Sequence, residues 1–160
     1  NSGKTTLACR IIERFRDLNP VSIKISPHFH EATEALINWH IDNNYNIYRE
    51  TSPEGEKDSS RMLKAGARDV YFIQACDNRV KEAFDLVYSV MPADRPMICE
   101  SPSLGLYLKP SLLLLADNKE VLKRKDISVL RARAARILYP HTEPGDLDGL
   151  SFSNGRWTIA

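Results

Sequence analysis

Hydrophobic and polar positions along the chain alternate between two periods. From Thr5 to Leu18 the apolar residues Leu7, Ala8, Ile11, Ile12, Phe15 and Leu18 recur at helical spacing. Glu13, Arg14, Arg16 and Asp17 fill the other side, which predicts an amphipathic helix stopped by Asn19-Pro20. Val21 to Ile25 then reads as a short strand, with Lys24 among apolar neighbours. A helix feeding a strand in this way begins a βαβ unit. Ser26 to His30 is a loop leaving that strand, and ligands gather at this edge of open α/β sheets.

Glu31 to Ile41 has Ala32, Ala35, Leu36 and Trp39 at helical spacing, which predicts a second helix ended by Asp42-Asn43-Asn44. Tyr45 to Thr51 alternates as an edge strand does, and Ser52 to Glu56 is a loop. Lys57 to Arg61 leads into a short helix ending at Ala65-Gly66-Ala67, with Asp58 or Ser59 as its cap. Val70 to Ala75 is a strand, and Val80, Ala83, Phe84, Val87 and Met91 form the stripe of the next helix. Met97 to Glu100 reads as a buried strand ending in a carboxylate, and Leu112 to Ala116 as another buried strand, with a helical turn between them within Ser103 to Leu108. Ser128 to Tyr139 is predicted helical, with Leu130, Ala134, Ile137 and Leu138 inward and Arg131, Arg133 and Arg136 outward. Leu150 to Phe152 and Arg156 to Ile159 flank an Asn-Gly turn and make a β-hairpin that caps a sheet edge. The expected fold is thus a single α/β domain over residues 1–160.

The first six residues, Asn1-Ser2-Gly3-Lys4-Thr5-Thr6, carry the sharpest chemistry. They match the second half of a phosphate-binding loop, G-x-x-x-x-G-K-[ST], opening onto a helix. Gly3 would let backbone N–H groups face phosphate oxygens, and Lys4 would set a positive charge by the terminal phosphates. The Thr5 hydroxyl could complete a Mg²⁺ shell, Thr6 could reach the α-phosphate, and the helix dipole adds to the same pocket. The motif's first glycine and its feeding strand are expected upstream of Asn1. A chain lacking them should bind nucleotide poorly.

Composition narrows the partners. The chain has 160 residues, 42% hydrophobic and 27% charged, enough for one core. A net charge of +1 predicts no global attraction to nucleic acid or a membrane surface. The longest unbroken apolar run, Leu112 to Ala116, is too short to span a bilayer. Cys9, Cys76 and Cys99 are far apart and form no C-x-x-C, which suits a reducing cytoplasm.

Three further stretches complete a family resemblance. They are Ile23-Lys24-Ile25-Ser26-Pro27-His28, then Lys57-Asp58-Ser59-Ser60-Arg61 with Ala65-Gly66-Ala67, then Cys99-Glu100-Ser101 with Leu108-Lys109-Pro110. Behind a P-loop and in that order, they resemble the MobB-like proteins of molybdenum-cofactor biosynthesis, a family of P-loop GTPases and ATPases. The resemblance covers roughly residues 1 to 120. It implies a three-layer α/β/α P-loop NTPase with a mostly parallel sheet. It also implies Mg²⁺ with GTP or ATP, and slow hydrolysis in a switch or assembly factor that works as a homodimer or with a protein partner. Gly3 to Thr6, with Asn1 and Ser2, would cradle the phosphates, and Lys4, Glu100 and Asp58 would act in catalysis. Thr5, Glu100 and Asp58 would lie at the metal, with Lys24 and His28 lining the cleft.

The chain also departs from the family pattern. Ser101 replaces the family's glycine, the stretch between His30 and Lys57 is longer, and no histidine follows Arg61 closely. Asn118-Lys119-Glu120-Val121 lacks the aspartate of a guanine-reading N-K-x-D. Two other functions fit the residues. One is a small-molecule kinase with Arg124, Arg131 and Arg133 in a lid, and the other is a nucleotide-binding module without turnover.

Overall fold

A computed structural model describes residues 3–118, 126–139 and 144–160. Its centre is a five-stranded sheet in the order β2-β3-β4-β1-β5. The strands are β1 (Val21–Ser26), β2 (Leu36–Ile41), β3 (Tyr45–Glu50), β4 (Asp69–Ala75) and β5 (Met97–Glu100). β4, β1 and β5 run parallel, while β2 and β3 form an antiparallel hairpin on the β4 side. The sheet is therefore mixed, not mostly parallel as the sequence suggested.

The alternation of β1 explains how this sheet serves two cores. Val21, Ile23 and Ile25 face one side and pack with α3 (Val80–Tyr88) through Val80, Ala83, Phe84 and Val87. Ser22 and Lys24 face the other side, where α1 (Lys4–Arg14) and α2 (Asp58–Lys64) lie. There Ala8, Ile11 and Ile12 of α1 meet Met62, Val70 and Ile98. Helices on both faces make the domain three-layered. Lys24 falls within an apolar run because its neighbours point the opposite way.

The segment read as a helix over 31–41 is instead an irregular stretch and turn over 31–35 followed by the strand β2. Its helical spacing was incidental to a hairpin signal. Ile37, Trp39 and Ile41 favour a pleated strand. Asp42 folds the turn by accepting from the backbone N–H groups of Asn44 at 2.6 Å and Tyr45 at 3.0 Å.

A second correction concerns residues 128–139. Only α4 (Ser128–Arg133) is helical, and β7 (Arg136–Leu138) then pairs in parallel with β6 (Leu114–Ala116). The Ala135 N–H bonds the Leu113 carbonyl at 2.9 Å, which draws the chain into register beside β6. Arg136 is not a loose outward charge, because it donates to the Asp146 carbonyl at 2.7 Å and the Ala160 carbonyl at 2.8 Å. The expected helical turn after β5 is a short 3-10 segment, Leu104–Leu106.

The hairpin of β8 (Leu150–Ser153) and β9 (Arg156–Ile159) forms as expected. Asn154 and Gly155 sit at φ 50° and 70°, which suits an Asn-Gly turn. The hairpin joins no other strand of the described residues. It anchors by Trp157, whose Nε1–H donates to the Met97 carbonyl at 3.0 Å and whose ring meets Phe15 edge-on at 4.8 Å. Among the described residues, no helix is long and apolar enough to cross a membrane.

The shared core on the α1 side predicts a large cost for opening it. Ile12 has no exposed surface, and Ile12→Ala should destabilise the fold by roughly 2–5 kcal/mol. Urea unfolding monitored by tryptophan fluorescence measures this, and a loss below about 1 kcal/mol would contradict the packing described.

Candidate functional site

The C-terminal ends of β1 and β5 bring Lys24 and Glu100 side by side in register. Both side chains point toward α1 and α2, on the face that also carries Ser22 and Ile98. The Lys24 ammonium bonds Glu100 Oε1 at 2.7 Å and Asp58 Oδ2 at 2.8 Å. On its other oxygen, Glu100 Oε2 accepts from the Thr5 hydroxyl at 2.7 Å. Four residues from four parts of the chain thus meet at the start of α1. Glu100 and Thr5 are buried there, with 5% and 6% of their surface exposed.

α1 begins as its sequence predicts. Gly3 stands before it at φ 78°, a left-handed conformation that favours glycine, and its carbonyl accepts from the Leu7 N–H at 2.9 Å. No side chain caps this helix and its first turn holds no acid. The turn's N–H groups and its positive dipole end are therefore not matched by an acidic side chain of the turn itself. Lys4 follows and lines a cleft beside α1. Thr6 is exposed and accepts a bond from Arg61 Nη2 at 3.2 Å. Asn1 and Ser2 lie outside the described residues.

Asp58 is the first residue of α2 and not its cap; Lys57 holds the cap position and makes no side-chain cap bond. Its carboxylate is turned instead toward Lys24, and Arg61 one turn on approaches its other oxygen at 3.5 Å. Sequence reading missed what holds α2 in this pose. Glu50, at the end of β3, is buried and accepts from Ser59 Oγ at 2.7 Å and Ser60 Oγ at 3.1 Å. It also accepts from the backbone N–H groups of Thr51 and Ser52. The two serines of Lys57-Asp58-Ser59-Ser60 thus clamp a buried carboxylate while the aspartate turns to the site. An acid closing a strand just before a Ser-Ser pair was the available signal.

The charges shape one another. Burial favours the neutral form of Lys24, but the Glu100 and Asp58 carboxylates outweigh it and hold its pKa above the usual lysine range. Burial would raise Asp58, yet the bond from Lys24 and its charge bring it below the ordinary carboxylate value. Thr5 also contributes a hydrogen bond to Asp58.

Other expected site residues lie elsewhere or outside the described set. His28 is exposed, and its ring faces His30 with centroids 6.1 Å apart instead of joining the Lys24 cluster. Arg131 pairs with buried Asp117, and Arg133 donates to the Gly105 carbonyl at 2.9 Å, so neither is a loose lid arginine. Arg124 and the stretch Lys119-Glu120-Val121 lie outside the described residues.

The donors at the site suit a hard cation: two carboxylates and a hydroxyl, all oxygen. Among the described residues no group of three or more His, Cys, Asp or Glu could hold a metal ion by itself. Mg²⁺ typically keeps several waters and binds through one or two carboxylates plus substrate phosphates, so this small set fits it as a shared ligand sphere. No family model, curated protein or solved structure matches the chain.

Two measurements probe the cluster. Lys24→Met leaves Glu100 buried without its cation and should cost roughly 3–5 kcal/mol, whereas adding Glu100→Gln should recover part of that loss. Strictly additive losses in denaturant titrations would mean that the two groups are not coupled. The lowered Asp58 pKa contributes stability above the ordinary aspartate value of 3.8, and this is lost as pH falls through the folded value. The melting temperatures of the protein and of Asp58→Asn should therefore differ at neutral pH and converge in acid; a gap unchanged down to low pH would contradict this.

Proposed function

We propose that the chain binds a Mg–nucleoside triphosphate, GTP or ATP, at the start of α1 and hydrolyses it slowly as a switch or assembly factor. The observation that carries this reading is the 2.7 Å bond from the Thr5 hydroxyl to Glu100. It brings the threonine of a Gly-Lys-Thr helix start against a buried acid at the end of a parallel strand, 95 residues away in sequence. A hydroxyl and a carboxylate so placed are a natural pair for a phosphate-bound Mg²⁺. The resemblance of the sequence to MobB-like P-loop proteins supports the same reading, as does the left-handed Gly3 before Lys4.

Each residue then has a distinct task. The backbone N–H groups opening α1 and the Lys4 ammonium would hold the phosphate oxygens. Thr5 and Glu100 would share the metal, directly or through water, and Asp58 would sit at its rim on the clamped α2. Bound there, Mg²⁺ would neutralise phosphate charge, and phosphoryl-transfer catalysis rests on such stabilisation together with positioning. Glu100 would also orient a water for attack.

In this reading Lys24 is the counter-ion of the ligand-free site. Its single charge offsets one of the two carried by Glu100 and Asp58, and a metal ion at the pair would compete with the ammonium for both acids. Nucleotide and metal should therefore bind together and not in turn. A protein partner or second copy would supply further transition-state stabilisation, consistent with slow intrinsic turnover.

Calorimetry with Mg²⁺ and each nucleotide tests the assignment. Lys4→Ala should abolish binding, and unchanged affinity would remove the phosphate-binding role. Glu100→Gln should spare binding while slowing phosphate release by roughly 100-fold. Equal rates would take Glu100 out of the mechanism.

A further inference from the structure

Arg61 of α2 reaches across to the first turn of α1. Its Nη2 donates to the Thr6 hydroxyl at 3.2 Å, and its Nη1 lies 3.5 Å from Asp58 Oδ1. Lys24 holds the other oxygen of Asp58 at 2.8 Å. Two cations thus share one carboxylate. Lys24 stands in the interior beside Glu100, and Arg61 stands at the surface beside Thr6.

This end of α1 is by itself a poor place for a cation. Positive side chains stabilise a helix at its C-terminal end and are repelled by the positive end of its dipole. No acid in the first turn of α1 offsets the guanidinium. The Asp58 contact is at the outer limit of a hydrogen bond, and Thr6 offers only a neutral oxygen. A guanidinium carries five N–H donors in a rigid fork, so most of its capacity is unspent by these two contacts. α2 is held where it is, because Glu50 binds Ser59 and Ser60, the two residues before Arg61. A positioned guanidinium with spare donors, beside the N–H groups of a helix start, suits an oxyanion that both can bind.

We infer that Arg61 is a phosphate-binding residue that holds the α-phosphate of the nucleotide together with Thr6, in the triphosphate and diphosphate complexes alike. This rests on the reading of the α1 start as a nucleotide site and adds to it a contact from α2. Thr6 decides which phosphate is held. Thr5 faces Glu100 and the metal position, whereas Thr6 is the hydroxyl expected at the α-phosphate. The Thr6 oxygen accepts from Arg61, which leaves its O–H to donate to a phosphate oxygen. Arg61 reaches the same phosphate with its remaining N–H groups and gives up the long contact to Asp58. The γ-phosphate takes no part in this contact. Arg61 therefore anchors substrate and product equally and does not act on the bond that breaks.

NMR titration of the nitrogen-15-labelled chain tests it. One series uses Mg²⁺ with a non-hydrolysable nucleoside triphosphate, and the other uses Mg²⁺ with the matching diphosphate. Guanosine and adenosine forms are both titrated, and the tighter pair is compared. Both ligands should move the Arg61 Nε–H signal. Arg61→Gln should weaken both by the same factor, roughly tenfold or more, and Arg61→Lys should recover part of the loss by keeping the charge without the fork. The Arg61 side chain is 40% exposed, and circular dichroism checks that both variants are folded. An unmoved Nε–H signal with unchanged affinities in Arg61→Gln would overturn the inference and leave the nucleotide site standing. A loss confined to the triphosphate would also overturn it, since Arg61 would then lie at the γ-phosphate. If the parent chain binds neither ligand at millimolar concentrations, the nucleotide reading fails and this inference fails with it.

Discussion

The site depends on a buried carboxylate that must have partners. Glu100 ends a strand with almost none of its surface exposed, and an unpaired ion there would be severely unfavourable. Lys24 meets one of its oxygens and Thr5 the other. This requirement fixes three elements at once. β5 must lie beside β1 in the register that sets Lys24 opposite Glu100, and α1 must start where Thr5 can reach across. Asp58 then shares the same ammonium, which ties α2 to the pair. A second buried carboxylate, Glu50, holds α2 from behind through Ser59 and Ser60. The two acids are held differently: Glu50 is bound by neutral donors and positions a helix, while Glu100 is held by the Lys24 ammonium and the Thr5 hydroxyl.

Much of this was legible in the chain because it is local. The stripe from Leu7 to Ile12, the run Val21 to Ile25, the helix stripe Val80 to Val87 and the Asn-Gly hairpin each carry their own period or turn residue. The convergence of Thr5, Lys24, Asp58 and Glu100 was expected only through the ordered motifs, since their spacing in sequence says nothing about register. The errors have physical causes as well. Residues 31–41 satisfy a helical spacing and a strand spacing together, and the Asp42 turn decided for the hairpin. Residues 136–138 are short and follow a real helix, so only the open edge of β6 shows why the chain extends there. His28 belongs to a loop with no partner fixing its ring toward the site. The Glu50 clamp joins an acid and two serines across a loop, and no periodic pattern encodes it.

The mixed sheet separates the molecule into two regions. On the β4 side, the β2–β3 hairpin ends the sheet with antiparallel pairing that needs no crossover. On the β5 side lie the site, the cleft and the small β6–β7 pair. The parallel strands carry the charged side chains at their C-terminal ends, the place where open α/β sheets present binding groups. The charged cluster and the cleft thus share one side of the fold, with α1 bordering both.

The central claim is that the Lys24–Glu100–Asp58–Thr5 cluster is the resting form of a Mg–triphosphate site. Nitrogen-15 NMR of the folded chain, titrated with Mg²⁺ and a non-hydrolysable nucleoside triphosphate, tests it most directly. The account predicts that the two ligands together move the amides of Gly3 to Thr6 and the side-chain ammonium signal of Lys24, while Mg²⁺ alone leaves them in place. Unmoved signals at millimolar concentrations of both ligands, with the fold intact, would contradict it.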